Sequence, residues 1–254
     1  MTEVIDVWAG NLEEEFIKIS RLIEEYPYVG MDTEFSGFLI KSMAHVSQVD
    51  DQRYNTMRIN VNMLKMIQLG ITLGNSAFNL VEPVCTWQFN FKFSLSSDIY
   101  ANDSIAILKQ AGIDFERFER DGIDLIDFAA QFFASGLVMN DKVFMVAFHG
   151  VYDFAYLLKS LSSKSIPKTE EMFRNEISFY FPNFYDLRNV MLSFDDFVGG
   201  LQELAESLDV PRIGKQHQAG SDSYVTLLSF FQIVKNNFGG NLFHPNLKRL
   251  QNSL

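Results

Sequence analysis

Apolar and polar positions alternate along the chain with two different periods, and each period predicts a class of element. Short apolar runs predict buried strands, most clearly over Tyr28–Phe35 and residues 143–148. Apolar residues that recur every three or four positions predict amphipathic helices. These helices are predicted from Asn11 to Tyr26, over residues 58–65, in short stretches between Asp103 and Gly136, and over residues 152–161, 200–208 and 221–234.

The segments between these elements add further strands and two irregular regions. Gly74-Asn75 predicts the turn of a hairpin whose arms are residues 67–73 and 77–81. In residues 87–93 aromatic side chains alternate with polar ones, which predicts a half-buried strand. Its aromatic face would belong to the core or to a partner surface rather than form a platform for stacking bases. A short strand is predicted over residues 184–187, a polar loop over residues 41–53 and a frayed polar tail over residues 239–254.

This order of elements favours an α/β fold, with a mixed central sheet flanked by helices. The chain has 254 residues, of which 47% are hydrophobic and 14% aromatic. That composition is sufficient for one large core, so we expect a single domain over residues 1–254.

The net charge limits how the chain could bind a nucleic acid. It is −11, with a sequence pI of about 4.8. Proteins that bind nucleic acid through their own lysines and arginines are usually basic. A polyanionic substrate would therefore depend on cations, or contact the protein only at its active site, and we expect a shallow salt dependence of binding.

The sequence also bears on location. Cys85 is the one cysteine, so no intramolecular disulfide is possible. The first ten residues lack the basic flank and apolar run of a signal peptide, and no apolar segment is long enough to span a bilayer. We expect a cytoplasmic protein that could also be nuclear, with no membrane partner.

Two acids on the first predicted strand are the first candidates for chemistry. Asp32 and Glu34 lie two positions apart, so both side chains point to one face of the strand. Two like charges on a core strand are costly unless a positive charge lies between them. A divalent cation is the natural candidate, because hard cations take oxygen ligands. The alternative is a strand end that carries two solvated acids.

Three later residues complete the set of candidates. Asp153 and Asp222 each lie at the start of a predicted helix, where an acid could simply interact with the helix dipole or cap the helix. His217 lies five residues before Asp222, next to a glycine-containing turn. Capping does not explain this histidine.

Together these residues form the pattern of the DEDDh exonucleases: Asp-x-Glu on a strand, a mid-chain Asp, and His-x-x-x-x-Asp. Longer segments are similar to the CAF-one (Pop-two) deadenylases, the nuclease subunits of the NOT deadenylation complex, from about Val7 to Phe238. These segments are MDTEFSG, TWQFNFKF, AFHGVYDFAYLLK, GGLQELAESLDVPRIG and QHQAGSDS. The resemblance implies a ribonuclease-H-like exonuclease fold.

The resemblance also implies a mechanism. Asp32, Glu34, Asp153 and Asp222 would hold two divalent metal ions, Mg²⁺ or Mn²⁺, and His217 would be the general base. The reaction would be 3′-to-5′ hydrolysis of mRNA poly(A) tails, releasing 5′-AMP. The implied partners are poly(A) RNA, a NOT-type scaffold subunit and a leucine-rich-repeat nuclease subunit. The departures from the family pattern are Ser36 and Lys215, which each replace a proline, and Gly150-Val151, which replaces Ser-Gly.

Two rival functions stay open at this stage. One is a catalytically idle binding module in the same complex, although the five intact candidate residues speak against it. The other is a DEDDh enzyme that acts on DNA or small-RNA ends. Phe38, just past the acidic strand, could contact a terminal base or could be an ordinary packing residue.

Overall fold

Within residues 3–40, 49–193 and 199–254, which the computed structural model describes, six strands form one mixed sheet. They are β1 (Glu3–Val7), β2 (Tyr28–Phe35), β3 (Met66–Gly74), β4 (Val84–Asn90), β5 (Phe144–Ala147) and β6 (Phe184–Asp186). Their order across the sheet is β1-β4-β3-β2-β5-β6. Strand β3 is antiparallel to both of its neighbours, and the other adjacent pairs are parallel. The predicted fold class is confirmed.

Helices cover the sheet on both faces. They are α1 (Leu12–Leu22), α2 (Val49–Met63), α3 (Asn102–Ala111), α4 (Phe115–Asp121), α5 (Leu125–Ala134), α6 (Val151–Ser162), α7 (Glu170–Tyr180), α8 (Leu187–Leu192), α9 (Leu201–Ser207), α10 (Ala219–Asn237) and α11 (Pro245–Lys248). Helix α10 packs on β2 and β3, and α6 packs against α2 and α5. In the described part of the chain, no helix is long and apolar enough to cross a membrane.

Strand β2 lies near the centre of the sheet and has the bounds that the sequence predicts. Gly30 faces α10, and Phe35 contacts α6, where its ring stacks on Tyr156 with 4.8 Å between centroids. Asp32 and Glu34 share the α10 side with Gly30, because side chains two apart on a strand point the same way. Strands β5 and β6 and helices α6, α9 and α10 also confirm their predictions, with ends that differ by a few residues.

The strand around Trp87 differs from its prediction in length and in burial. Strand β4 ends at Asn90, and the polar residues Gln88 and Asn90 are buried as well as the aromatic ones. Both amides donate to the Asp6 carboxylate of β1, at 2.9 and 3.1 Å, so their polar atoms are satisfied inside the fold. The prediction of a half-buried strand was therefore wrong. The prediction that the aromatic side chains belong to the core is confirmed, since none of the four rings is more than 1% exposed: Trp87, Phe89, Phe91 and Phe93.

The predicted hairpin has the wrong second arm. Strand β3 pairs with β4 instead, and residues 77–81 contribute only an isolated bridge between Gly74 and Leu80. The Asn75 side chain accepts hydrogen bonds from the backbone N–H groups of Ala77 and Asn79, both at 3.1 Å. These bonds organise the segment as a loop rather than a strand.

Two boundaries on the first half of the chain also change. Helix α1 ends at Leu22 rather than at Tyr26. Helix α2 begins at Val49, so the last part of the predicted loop is helical, and residues 41–48 lie outside the described residues. Buried side chains at helical spacing hold α2 in place: Tyr54, Met57 and Val61, with Leu64 directly after the helix.

The polar tail packs on the protein instead of fraying. Leu242 and Leu247 are buried in a cluster with Phe238. Asn252 exchanges two hydrogen bonds of 2.9 Å with the backbone of Phe184 in β6. The prediction of a frayed tail was wrong, because a few apolar residues and one asparagine anchor a segment whose average composition is polar.

Candidate active site

Helix α10 begins directly against the sheet because two glycines leave room for it. A Cβ on Gly30 would lie 2.5 Å from a backbone oxygen of α10, and one on Gly70 would lie 1.9 Å from another. No side chain fits at either distance, so the close approach requires glycine. The first turn of α10 carries Asp222, which thereby reaches the strand face that carries Asp32 and Glu34.

Asp153 approaches the same strand from α6. The pairing of β2 with β5 ends at Gly30, so the backbone of Thr33 is available to a side chain. The Asp153 carboxylate accepts hydrogen bonds from the Thr33 amide at 2.8 Å and from the Thr33 hydroxyl at 2.6 Å. Asp153 is buried, and both bonds hold it beside the residue that separates the two strand acids.

Asp222 is held by two neighbours. One oxygen accepts from the backbone N–H of His217 at 3.0 Å, and the other accepts from the Arg212 guanidinium. Arg212 also donates to Ser221 Oγ at 2.9 Å and to Gln202 Oε1 at 2.8 Å. A positive charge is thus built into the acidic cluster. Sequence reasoning missed it, because a single arginine in a helix-to-loop segment has no distinguishing pattern.

The carboxylates raise one another's pKa. Burial and then the charges of Asp222 and Asp153 raise the pKa of Glu34 to about 8. Burial, followed by the same two charges, raises the pKa of Asp32 well above its usual range. Burial raises the pKa of Asp153 to about 6 and also raises that of Asp222, although Arg212 opposes the second shift. Without an added cation, these acids therefore cannot all be ionised at neutral pH.

The donor atoms fit a divalent cation. One ligand atom each from Glu34, His217 and Asp222 lies within 4.8 Å of the other two. Asp32 and Asp153 add two more carboxylates, which interact with this group through their charges. Carboxylate oxygens are the donors that Mg²⁺ and Mn²⁺ prefer. The structure therefore brings all five predicted site residues together.

Asp186 positions the start of α6 and was not predicted from the sequence. Its two oxygens accept from the backbone N–H groups of His149 and Gly150, both at 2.9 Å. His149 has a positive φ of 57° and precedes the helix, which begins at Val151. This contact fixes the chain just before Asp153.

Comparison with known proteins assigns the chain that carries this site to a family. The model of the CAF1 family ribonuclease matches residues 7–135, a span that includes Asp32 and Glu34. Poly(A) ribonuclease pop2 of Schizosaccharomyces pombe is 42% identical over 250 residues, which cover 98% of this chain and 75% of that protein. The chain belongs to the CAF1 ribonuclease family. The family resemblance of the sequence is confirmed, and the match to pop2 extends over the segments that carry Asp153, His217 and Asp222.

A plant relative supports the same family assignment. The probable CCR4-associated factor 1 homolog 7 of Arabidopsis thaliana is 44% identical over 246 residues, 94% of this chain and 90% of that protein.

Solved structures of CAF1-family proteins share the fold along the whole chain. S. pombe Pop2p with Mg²⁺ and Mn²⁺ bound gives a TM-score of 0.93 at 42% identity, over 99% of this chain and 98% of that one. Those are the two metals that the sequence predicts here. Yeast CAF1 crystallised with the NOT1 MIF4G domain gives 0.82 at 33% identity, over 99% and 96%. Escherichia coli exonuclease I, at 14% identity and a TM-score of 0.56 over 84% and 41%, shares the fold alone.

Proposed function

We propose that this chain is a 3′-to-5′ exoribonuclease that shortens mRNA poly(A) tails and releases 5′-AMP. The observation that carries the proposal is the convergence of four acids and one histidine from four separate segments around the end of β2. Among relatives of this similarity, one is named a poly(A) ribonuclease. A binding module without catalysis would have no need of four buried or half-buried carboxylates that destabilise one another.

Each site residue has a role that follows from its chemistry. Asp32, Glu34, Asp153 and Asp222 would hold two divalent cations, Mg²⁺ or Mn²⁺, which when bound would stabilise charge on the attacking and leaving oxygens. Thr33 holds Asp153 through two hydrogen bonds, so this ligand is fixed before any cation arrives. The Arg212 guanidinium balances part of the negative charge at Asp222.

His217 is the proton acceptor in the proposed mechanism. Its backbone N–H is fixed by Asp222, and its ring is exposed, so the ring can face an incoming substrate and water. It takes the proton of the attacking water as the new P–O bond forms. The bond to the 3′ oxygen breaks, and that oxygen is protonated as the shortened RNA leaves.

A substrate panel tests the proposal. Purified protein with Mg²⁺ is offered labelled oligo(A), oligo(U) and oligo(dA). We expect stepwise loss of 3′ nucleotides from oligo(A) ahead of oligo(dA), since the 2′-OH distinguishes RNA from DNA. Oligo(A) should also be cleaved ahead of oligo(U), as for a poly(A) ribonuclease. EDTA should abolish the reaction, and Mg²⁺ or Mn²⁺ should restore it. Equal rates on oligo(A) and oligo(dA) would favour the DNA-end enzyme, and no cleavage at all would favour the binding module.

A conservative variant tests the acids themselves. Asp32→Asn keeps the shape of the side chain and removes its charge. We expect near-complete loss of activity with an unchanged circular dichroism spectrum, because stabilisation by the cations contributes several kcal/mol. A variant that retains more than about a tenth of the wild-type rate would contradict the two-cation role of Asp32.

We further propose a NOT-type scaffold as a protein partner, together with a leucine-rich-repeat nuclease subunit, in the cytoplasm and the nucleus. The first part is supported by yeast CAF1, which crystallised with the NOT1 MIF4G domain and is 33% identical to this chain. Size-exclusion chromatography of this chain mixed with a MIF4G domain tests it. Co-elution is expected, and separate elution at micromolar concentration would contradict it.

A further inference from the structure

A large cleft lies beside the start of α6, the helix that carries Asp153. Its volume is about 930 Å³, and it lies among α2, α6, α7, α8 and the segment after β2. We call it the arginine cleft, after Arg53, Arg174 and Arg188 in its lining. The aromatic residues Phe38 and Tyr152 line the same space.

The arginine cleft has a local charge opposite to that of the whole chain. Three arginines and one acid, Glu170, line it, whereas the net charge of the chain is −11. Arg174 pairs with Glu170 at 2.5 Å, on side chains that are each more than a third exposed. Arg53 and Arg188 are exposed and form no ion pair with any residue that the structure describes. Such a surface attracts an anion.

The aromatic residues form a platform at the same place. Phe38 is 42% exposed, and it packs edge-on against Phe35 and Tyr152, with centroid distances of 5.2 and 5.1 Å. Tyr152 in turn stacks on Phe35 at 5.6 Å. The exposed face of Phe38 thus stands on two packed rings. Rigid aromatic faces of this kind bind unpaired bases by stacking, whatever the base.

The chain connects the arginine cleft to the proposed catalytic acids. Tyr152 directly precedes Asp153 in α6. The backbone N–H of Arg188 and that of His149 both donate to the same oxygen of Asp186, each at 2.9 Å. The start of α8 is therefore fixed relative to the start of α6. Arg188 is thereby held at a constant distance from Asp153.

We propose that the arginine cleft binds the RNA nucleotides beyond the first on the 5′ side of the scissile phosphate, an assignment that rests on the proposed function. Arg53 and Arg188 contact the phosphates, and Phe38 stacks on a base. The overall acidity of the chain predicts a shallow salt dependence. The arginine cleft instead predicts a steeper one, since each phosphate contact contributes about 0.7 to the salt slope for single strands.

Substrate length separates the two sites experimentally. ApA has a single nucleoside and no phosphate on the 5′ side of its scissile phosphate, so it engages the acids without reaching the arginine cleft, whereas oligo(A) of about 15 nucleotides exceeds or fills a typical single-strand site. In Mg²⁺, kcat/KM on both substrates and the salt slope of KM on the long one are measured for Arg188→Gln, Phe38→Ala and Phe38→Trp. Matched controls are Arg120→Gln and Phe243→Ala, which change an exposed arginine and an exposed phenylalanine away from the cleft.

The expected losses fall on the long substrate. Arg188→Gln should lower the magnitude of the salt slope by about 0.7. Phe38→Ala should lower kcat/KM on long RNA about 10-fold relative to ApA, and Phe38→Trp should restore it. Equal losses on ApA and long RNA, or losses no larger than those of the controls, would overturn the proposal. Failure of the wild-type chain to cleave either substrate would instead contradict the proposed function.

Discussion

At the scale of the residue, His217 and Asp222 are neighbours with different tasks. They contact each other through one hydrogen bond of 3.0 Å, yet Asp222 is buried among carboxylates and His217 is exposed. A proton acceptor must reach the attacking water, whereas a ligand must stay with the cation. This difference in position predicts different consequences of removing each side chain.

We expect His217→Ala to lose about 10²–10⁴ in rate and to keep most of the thermal stabilisation by Mn²⁺. Its rate should recover partly at high pH, where hydroxide replaces water as the nucleophile. Asp222→Ala should lose both the rate and the stabilisation by Mn²⁺. Turnover and melting temperature with and without Mn²⁺ check this. A His217→Ala chain that melts earlier but turns over normally would show a packing role only.

The crowded carboxylates predict how stability depends on pH. The pKa of Glu34 in the folded chain is raised to about 8 from 4.5, so the folded state binds more protons than the unfolded state between these values. In EDTA, stability should therefore be highest below pH 4.5 as far as this group is concerned, and should fall as pH rises towards 8.

Glu34→Gln removes that titration. We expect its free energy of unfolding in EDTA to fall less steeply with pH than that of the wild type, by up to ~1.4 kcal/mol per pH unit. Denaturant unfolding at several pH values measures the difference, with Glu14→Gln, an exposed acid on α1, as the control. Parallel profiles for wild type and Glu34→Gln would contradict the raised pKa.

The site residues could be found from the sequence to different degrees. Acids that would be destabilising on a core strand unless they bind a cation are conspicuous, so Asp32 and Glu34 could be recognised directly. Thr33 could not, because its partner is Asp153, 120 positions away, and a threonine in a strand needs no special explanation. Asp186 and Arg212 act only through contacts that folding creates.

At the scale of the element, Lys159 closes the end of α2. Its ammonium group donates to the backbone carbonyls of Val61, Asn62 and Leu64, at 2.7, 3.2 and 3.0 Å. These are orphan acceptors at a helix C-terminus. Burial, and then the charge of Lys65, lowers the pKa of Lys159, which agrees with its half-buried position.

Lys159→Met should keep the apolar stem and leave the three carbonyls without their donor. We expect a loss of about 1–3 kcal/mol in the free energy of unfolding. The control is Lys164→Met, at an exposed position five residues further along the chain, which should change stability by less than about 0.5 kcal/mol. Denaturant titrations of both variants decide the matter. Equal effects would mean that the carbonyls are satisfied by water.

Elements with strong periodicity could be predicted, whereas those with mixed composition could not. Helix α7 was missed although Thr169 caps it and Glu170 and Glu171 occupy its first turn, because its apolar face is narrow. Strand β1 was missed because it is short and carries two acids, one of which, Asp6, accepts bonds from buried amides of β4. Local pattern cannot show that another strand supplies the partners.

At the scale of the whole molecule, the C-terminal segment belongs to the core. Leu247 is fully buried with Leu242 and Phe238. The segment also borders β6, whose other edge pairs with β5. The composition of residues 239–254 predicted a frayed tail instead, because an average over a mostly polar segment hides its few buried apolar residues.

We expect Leu247→Ala to cost about 2–5 kcal/mol, as for other fully buried leucines. Lys248→Ala, one position further on and exposed, is the matched control and should change little. Thermal and denaturant unfolding test the pair. A tail that frays in solution would make the two variants indistinguishable.

Gly30 and Gly70, which α10 packs against, have a consequence for folding during synthesis of the chain. Asp32 and Glu34 are translated well before the helix that completes their site, and that helix can pack only on a finished β2 and β3. A nascent chain that stops before residue 219 holds three of the four acids without the surface that gathers them. A chain made only as far as residue 218 should therefore lack nuclease activity, since both the fourth acid and the helix that completes the site are missing.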